Sequence, residues 1–282
     1  RGLREASASK GLVAKLVAVL GKAGSRNFLP FSVSRPSLKP PSNTMDTSLQ
    51  ELLDDLAIAN RILVNEGVLD GFGHISVRHP QNPQRFFIAR SMAPGLVTAA
   101  DLLQVDLDGV VHDEQGRRTY VERFIHSAIF AARPDVHSVV HSHSPAIIPF
   151  GVTSARLRPI CHMSGFLGAV TPVYEIRHSA GESTDLLISS QALGRSLAQV
   201  LGAASVALMR GHGSVTVGQS IKQSVFRAIY TEKTARLQME AMRLGEINFL
   251  TDGEAQATSA MNDTHLQRPW EMWKRQALRH WD

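Results

Sequence analysis

The sequence has a single cysteine, Cys161. No disulfide can form within the chain, and a reducing compartment is compatible with it. Cys161 itself reads as a core or pocket residue, because an unpaired cysteine behaves as a small apolar side chain. No run of 18 apolar residues occurs, so no transmembrane helix is expected and no membrane partner. The chain also lacks internal repeats and low-complexity blocks beyond its first 44 residues, which excludes solenoid and fibrous architectures. Acidic residues are almost missing from positions 1–44, where Arg1, Arg4, Lys10, Lys15, Lys22, Arg26, Arg35 and Lys39 face only Glu5. The formal charge of +5 therefore comes from this leader, and the remainder holds 22 basic and 24 acidic residues. That remainder has no basic stripe with interleaved aromatics, so nucleic acid is not an expected partner.

Two readings of residues 1–44 compete. Leu12 to Leu20 could form a basic amphipathic helix of the transit type. Alternatively the segment is an upstream extension, with Met45 as the start and Asp46-Thr47-Ser48 as a fresh helix beginning. Either way it is set aside as a disordered or transit-like leader with an extended, Pro-rich end. The expected location is cytoplasmic, or mitochondrial if the leader is a genuine transit peptide.

What is present reads as an ordinary globular composition, 43% hydrophobic and 20% charged. Residues 49–66 carry Leu52, Leu53, Leu56, Ala59, Leu63 and Val64 at helical spacing. Gly71 to Arg78 is a turn entering a strand, and Phe86 to Ala89 is a short strand. Residues 101–109 read as a helix-to-strand step closed by an Asp-Gly turn. A helix is predicted from Glu122 to Arg133, a buried strand over 138–141, another over 204–210, and a long helix over 221–244. This mixture suggests an α/β or α+β domain over residues 45–247. Residues 248–282 read as a polar C-terminal tail, with Trp270 and Trp273 expected to bury themselves on the same chain.

The chemistry concentrates at Val140-His141-Ser142-His143-Ser144-Pro145. Histidines at i and i+2 of a strand share a face, so both imidazoles can meet one ion. At the end of an apolar strand, two neutral rings facing a core would leave nitrogens unsatisfied. The pair taken alone reads equally well as solvated strand histidines. A catalytic zinc-type site needs a third protein ligand and an open position. His212, between Gly211 and Gly213 and after the apolar run Val206 to Met209, is the best candidate. Glu122 opens a helix, where a carboxylate is favourably placed, and can ligate a metal or move protons. His126 lies one turn further on the same helical face, suited equally to orienting the site or to a satisfied core position. His74 and His162 are further pocket candidates.

At this point the sequence resembles the class II aldolase/adducin family. The resemblance spans about residues 49–245. It rests on Gly73-His74-Ile75-Ser76-Val77-Arg78, on Asp101 through Gly109, on Glu122 with His126, on Arg133-Pro134-Asp135, on His141-Ser142-His143-Ser144-Pro145, and on His212-Gly213 with Gly218. It implies an α/β fold with three α/β/α layers around a mostly antiparallel sheet, and a homo-oligomer, commonly a tetramer. It implies that His141, His143 and His212 bind a divalent metal ion, zinc foremost with manganese or cobalt as alternatives. Glu122 falls on the acid/base glutamate. The full set favours an enzyme over a noncatalytic adducin-like scaffold. Sugar-phosphate aldolases of the family cradle phosphate with small polar groups. Here His74 replaces an Asn, Arg90-Ser91-Met92-Ala93-Pro94 stands for a Pro-Ser-Gly turn, and Tyr120-Val121 replaces a Ser pair. The expected substrate is a small molecule without phosphate, a hydroxylated aromatic carboxylic acid met by His74, Arg90, Tyr120 and His162. The expected activity is decarboxylation. Aldol cleavage or dehydration of a hydroxy-keto acid or sugar is the alternative.

Overall fold

The computed structural model describes residues 44–279 except residue 114. The expectation for the leader lies outside them. In chain order the elements are α1 (Thr44–Asn65), β1 (His74–Arg78), β2 (Arg85–Ala89), β3 (Leu102–Asp106), β4 (Val111–His112), α2 (Arg123–Ala132), β5 (Ser138–Ser142) and α3 (Ile148–Val152). There follow β6 (Val173–Tyr174), α4 (Arg177–Ala180), α5 (Gln191–Leu201), β7 (Val206–Met209), β8 (Gly213–Gly218), α6 (Ile221–Leu244), α7 (Asp252–Asp263) and α8 (Gln267–Arg279).

The eight strands form one sheet in the order β4-β3-β2-β1-β5-β8-β7-β6. Every pairing is antiparallel except β6 with β7. Alternation along the strands then builds two cores. Ile75, Val77, Phe87, Val140 and Leu208 pack with Leu56 and Leu63 of α1, Val225 and Ile229 of α6, and Trp270 and Trp273 of α8. Phe86, Ile88, Val139, Ala207, Val215 and Val217 pack with Ile125 and Ile129 of α2 and Leu197 and Leu201 of α5. Helices on both faces of a mostly antiparallel sheet give the three layers expected.

The predicted helix over 49–66 starts earlier, at Thr44, and the predicted 221–244 helix has those bounds. The Asp-Gly turn is present, with Gly109 in the left-handed region at φ 83°. Residues 252–279, read from sequence as polar tail, form two helices. Thr251 caps α7 with its side chain on the Glu254 N–H, while Glu254 answers to the Thr251 N–H. On α8, Trp270, Trp273 and Ala277 fall on one face and are buried. Lys274 of the same helix reaches Asp55 of α1 at 2.6 Å.

One buried cation braces the fold at the far end of β1 from His74. The Arg78 guanidinium donates to the carbonyls of Pro83, Phe130, Arg133 and Val136 at 2.7–3.0 Å. It thereby ties β1 to the end of α2 and the approach to β5. No helix among the described residues is long and apolar enough to cross a membrane.

Candidate metal centre and active site

β5 carries His141 and, one residue past its end, His143, both on the α2 side of the sheet. His74 of β1 is directly opposite His141 in register. Glu122 immediately precedes α2. His212 sits in the hairpin between β7 and β8, where Met209 pairs with Gly213. Two glycines let that hairpin close on β5. Gly211 is left-handed, at φ 65°, and a Cβ on Gly213 would collide with the Ser142 carbonyl.

These elements bring four side chains together. One ligand atom from each of Glu122, His141, His143 and His212 lies within 4.8 Å of the others. His143 Nε2 is 3.2 Å from His141 Nε2 and 2.9 Å from His212 Nε2. A Glu122 carboxylate oxygen, Oε2, lies 3.3 Å from His141 Nε2 and 3.7 Å from His212 Nε2. Two of the three remaining ring nitrogens are anchored. His141 Nδ1 donates to the Ser214 carbonyl at 3.1 Å, and His212 Nδ1 donates to the Leu186 carbonyl at 2.9 Å. An Nδ1–H bound in this way leaves Nε2 with a bare lone pair, the tautomer a metal requires.

This donor set fits a divalent cation. A proton on His143 Nε2 could serve one of its two neighbours, and the other contact would set lone pair against lone pair. A cation among the three nitrogens serves them all. Tetrahedral bonds of about 2.0–2.1 Å would set ligand nitrogens roughly 3.3 Å apart, close to the spacing here. The electrostatics agree. Burial, with the neighbouring His141 and His212 rings, lowers the His143 pKa to about 4. Burial, then His141, also lowers His212. Neutral imidazole is the form that ligates. At Glu122, burial opposes the charge, but His141 and His212 outweigh it and hold the carboxyl well below its usual range. Its other oxygen, Oε1, accepts the Ile188 N–H at 3.1 Å.

Beside the four residues opens a cleft of about 440 Å³. Phe72, Met92, Tyr120, Val121 and Leu187 supply apolar walls, and His74, Glu122 and His143 supply the polar groups. Among the described residues, no Lys or Arg lines it. Tyr120 stands on the cleft wall. Its ring is 4.5 Å from His74 and its hydroxyl donates to the Met92 carbonyl at 2.8 Å. Burial pushes its phenol up to about 12, so it stays protonated.

Two predicted substrate residues are not brought to this cleft. Arg90 pairs with Asp101 at 2.7 Å and does not line it. His162 lines a separate pocket with Phe226, Tyr230, Asn262 and Arg268, where α6, α7 and α8 meet. Sequence reading also missed partners. The carbonyls of Leu186 and Ser214 and the N–H of Ile188 carry no side-chain signature. Ser76, fully buried, bonds His126 Nδ1 at 2.6 Å.

Residues 54–239 match the family described as the Class II Aldolase and Adducin N-terminal domain. The chain belongs to this family. Among class II aldolase/adducin relatives it is 39% identical to Decarboxylase tropJ of Talaromyces stipitatus over 76% of this chain and 90% of that protein. It is 28% identical to 3,4-dihydroxyphthalate decarboxylase of Arthrobacter keyseri, over 67% of this chain and 78% of that one. Its fold matches L-fuculose 1-phosphate aldolase from Glaciozyma antarctica PI12 with a TM-score of 0.68 at 26% identity, covering 85% and 93% of the two chains.

Proposed function

We propose that this protein is a metal-dependent lyase that decarboxylates a hydroxylated aromatic carboxylic acid. The observation that carries the reading is the pairing of a three-histidine, one-glutamate cluster with a largely apolar cleft that has no Lys or Arg among its described lining residues. A phosphate dianion would find no Lys or Arg among these residues to clasp it, whereas a flat ring bearing one carboxylate meets apolar walls and a few polar groups. The two decarboxylases among the relatives support the same direction.

His141, His143 and His212 would hold the ion, zinc by the nitrogen-rich donor set. Bound there, it would supply Lewis-acid withdrawal of charge from the substrate oxygens. The protein does the rest. Phe72, Tyr120 and Leu187 clamp the ring and exclude water. Glu122 is ionised, so it enters as a base: Oε2 takes the phenolic proton while the Ile188 N–H steadies Oε1. The bond from ring to carboxyl carbon then breaks, carbon dioxide departs, and the electron pair stays on the ring. Glu122 returns its proton to that carbon. The product leaves as a phenol after taking one proton from solvent, which balances the charge of the lost carboxylate.

The test is carbon dioxide release from a panel of 2-hydroxy- and dihydroxybenzoates and phthalates. It is run on the purified assembly, whose mass in solution should exceed that of one chain if it is the homo-oligomer we expect. Activity on at least one member, abolished by chelation and restored by zinc, manganese or cobalt, is the expected result. A protein that loads metal yet releases no carbon dioxide from any member, while cleaving hydroxy-keto acids, would overturn it.

A further inference from the structure

The described mechanism does not use His126, although it is fully buried and touches the cleft wall. Its two nitrogens are both engaged. Nδ1 meets Ser76 Oγ at 2.6 Å and Nε2 meets His74 Nδ1 at 2.7 Å. The ring of His74 lines the cleft and packs on Tyr120. Ser76, His126 and His74 therefore form a line of hydrogen bonds from the interior of the sheet to the substrate space.

Such a line has two possible directions. If His126 Nδ1–H donated to Ser76, the serine hydroxyl proton would need another acceptor. His126 is the only partner that Ser76 Oγ has among the described residues, and Ser76 is fully buried. An orphaned buried donor is costly, whereas a spare hydroxyl lone pair is tolerated. The favoured direction runs outward. Ser76 O–H donates to His126 Nδ1, His126 Nε2–H donates to His74 Nδ1, and His74 is left with its proton on Nε2.

We propose that Ser76 and His126 are positioning residues that lock His74 as the Nε2–H tautomer, making it a fixed hydrogen-bond donor to the carboxylate of the bound substrate. This rests on the reading of the cleft as a site for an aromatic acid. A donor that cannot switch to acceptor favours an anionic oxygen over an amide, whose N–H₂ would face another N–H.

Neutron diffraction from deuterated crystals of the metal-loaded protein tests the direction without any variant or substrate. Deuterium on Ser76 Oγ facing His126, on His126 Nε2 and on His74 Nε2 is expected. Deuterium on His74 Nδ1 overturns the proposal, whatever reaction the enzyme performs. The second measurement is binding of 2-hydroxybenzoate and 2-hydroxybenzamide to the metal-loaded protein. Ser76→Ala and His126→Leu should weaken the benzoate by roughly tenfold and leave the benzamide unchanged. His126→Gln, which can still accept from Ser76 and donate to His74, should keep the parent ratio. Equal loss for both ligands would mean a purely structural role, and no loss would mean that His74 does not meet the carboxylate. Either outcome overturns the proposal. If the direction and the ratio hold but carbon dioxide is never released, the lock stands and the decarboxylase reading alone falls.

Discussion

A carboxylate among three imidazoles can hold a cation or move a proton, and a single isosteric change at Glu122 separates those roles. Glu122→Gln keeps the Oε1 acceptor for the Ile188 N–H but loses the charge and the basicity. Metal content should stay at the parent level while carbon dioxide release falls by roughly 10²–10⁴-fold, the usual worth of a general acid/base. His141→Ala should instead lose metal and turnover together. Metal loss in the Gln variant would make Glu122 a required ligand. The histidines carry a second expectation, about acid. Burial pushes His126 down to about 3 and His143 to about 4, against 6.5 in the unfolded chain. Below pH 6.5 the unfolded state takes up protons that these rings refuse, so stability is full above that pH and is lost as pH falls toward 3. Urea midpoints of the metal-free protein should drop steadily from pH 7 to pH 4. A flat profile would mean that the rings are not shielded. At this scale the site was largely legible. The His-x-His spacing, the glycines around His212 and the acid at a helix start each carry a physical reason in the sequence. Ser76 was not, because a serine in a strand announces no partner, and Arg90 was misplaced because nothing local shows that Asp101 claims it.

At the scale of elements, legibility followed hydrophobic contrast. α1, α2 and α6 were readable from apolar spacing or from long runs without Pro or Gly. β8 was passed over although Val215 and Val217 alternate with Ser214 and Thr216, because a short strand between glycines resembles a turn. α7 and α8 were lost in their polar composition. Their signals were the Thr251–Glu254 capping box and the spacing of Trp270, Trp273 and Ala277. α8 is no appendage: Trp270 and Trp273 are each 3% exposed in the core shared with α1 and α6. Trp273→Ala should cost about 3–5 kcal/mol of stability, read as a lower urea midpoint. Because that core is on the sheet face opposite the metal cluster, metal content and turnover per folded molecule should stay unchanged. A stability loss under 1 kcal/mol would mean that α8 does not pack as described.

The whole molecule explains why the site exists only when the chain is folded. Its ligands come from the start of α2, the end of β5 and the β7–β8 hairpin, and the strand order inserts β5 and β8 side by side in mid-sheet. No sequence pattern reveals that order, since it depends on which strand edges find each other across long connections. An unfolded chain cannot hold four ligand atoms within 4.8 Å, so the ion binds the native state almost alone. Mass action then makes metal a stabiliser, worth about 4 kcal/mol when free metal exceeds its Kd a thousandfold. For a domain of this size each kcal/mol moves Tm by about 2–4 °C. Chelation should therefore lower Tm by roughly 8–16 °C, and re-addition of metal should restore it. His141→Ala should have the lower Tm from the outset and respond to neither treatment. A parent protein whose Tm ignores chelation, with its metal shown to be gone, would mean that the four side chains come together without needing a cation, and the coordination reading of the cluster would fail with it.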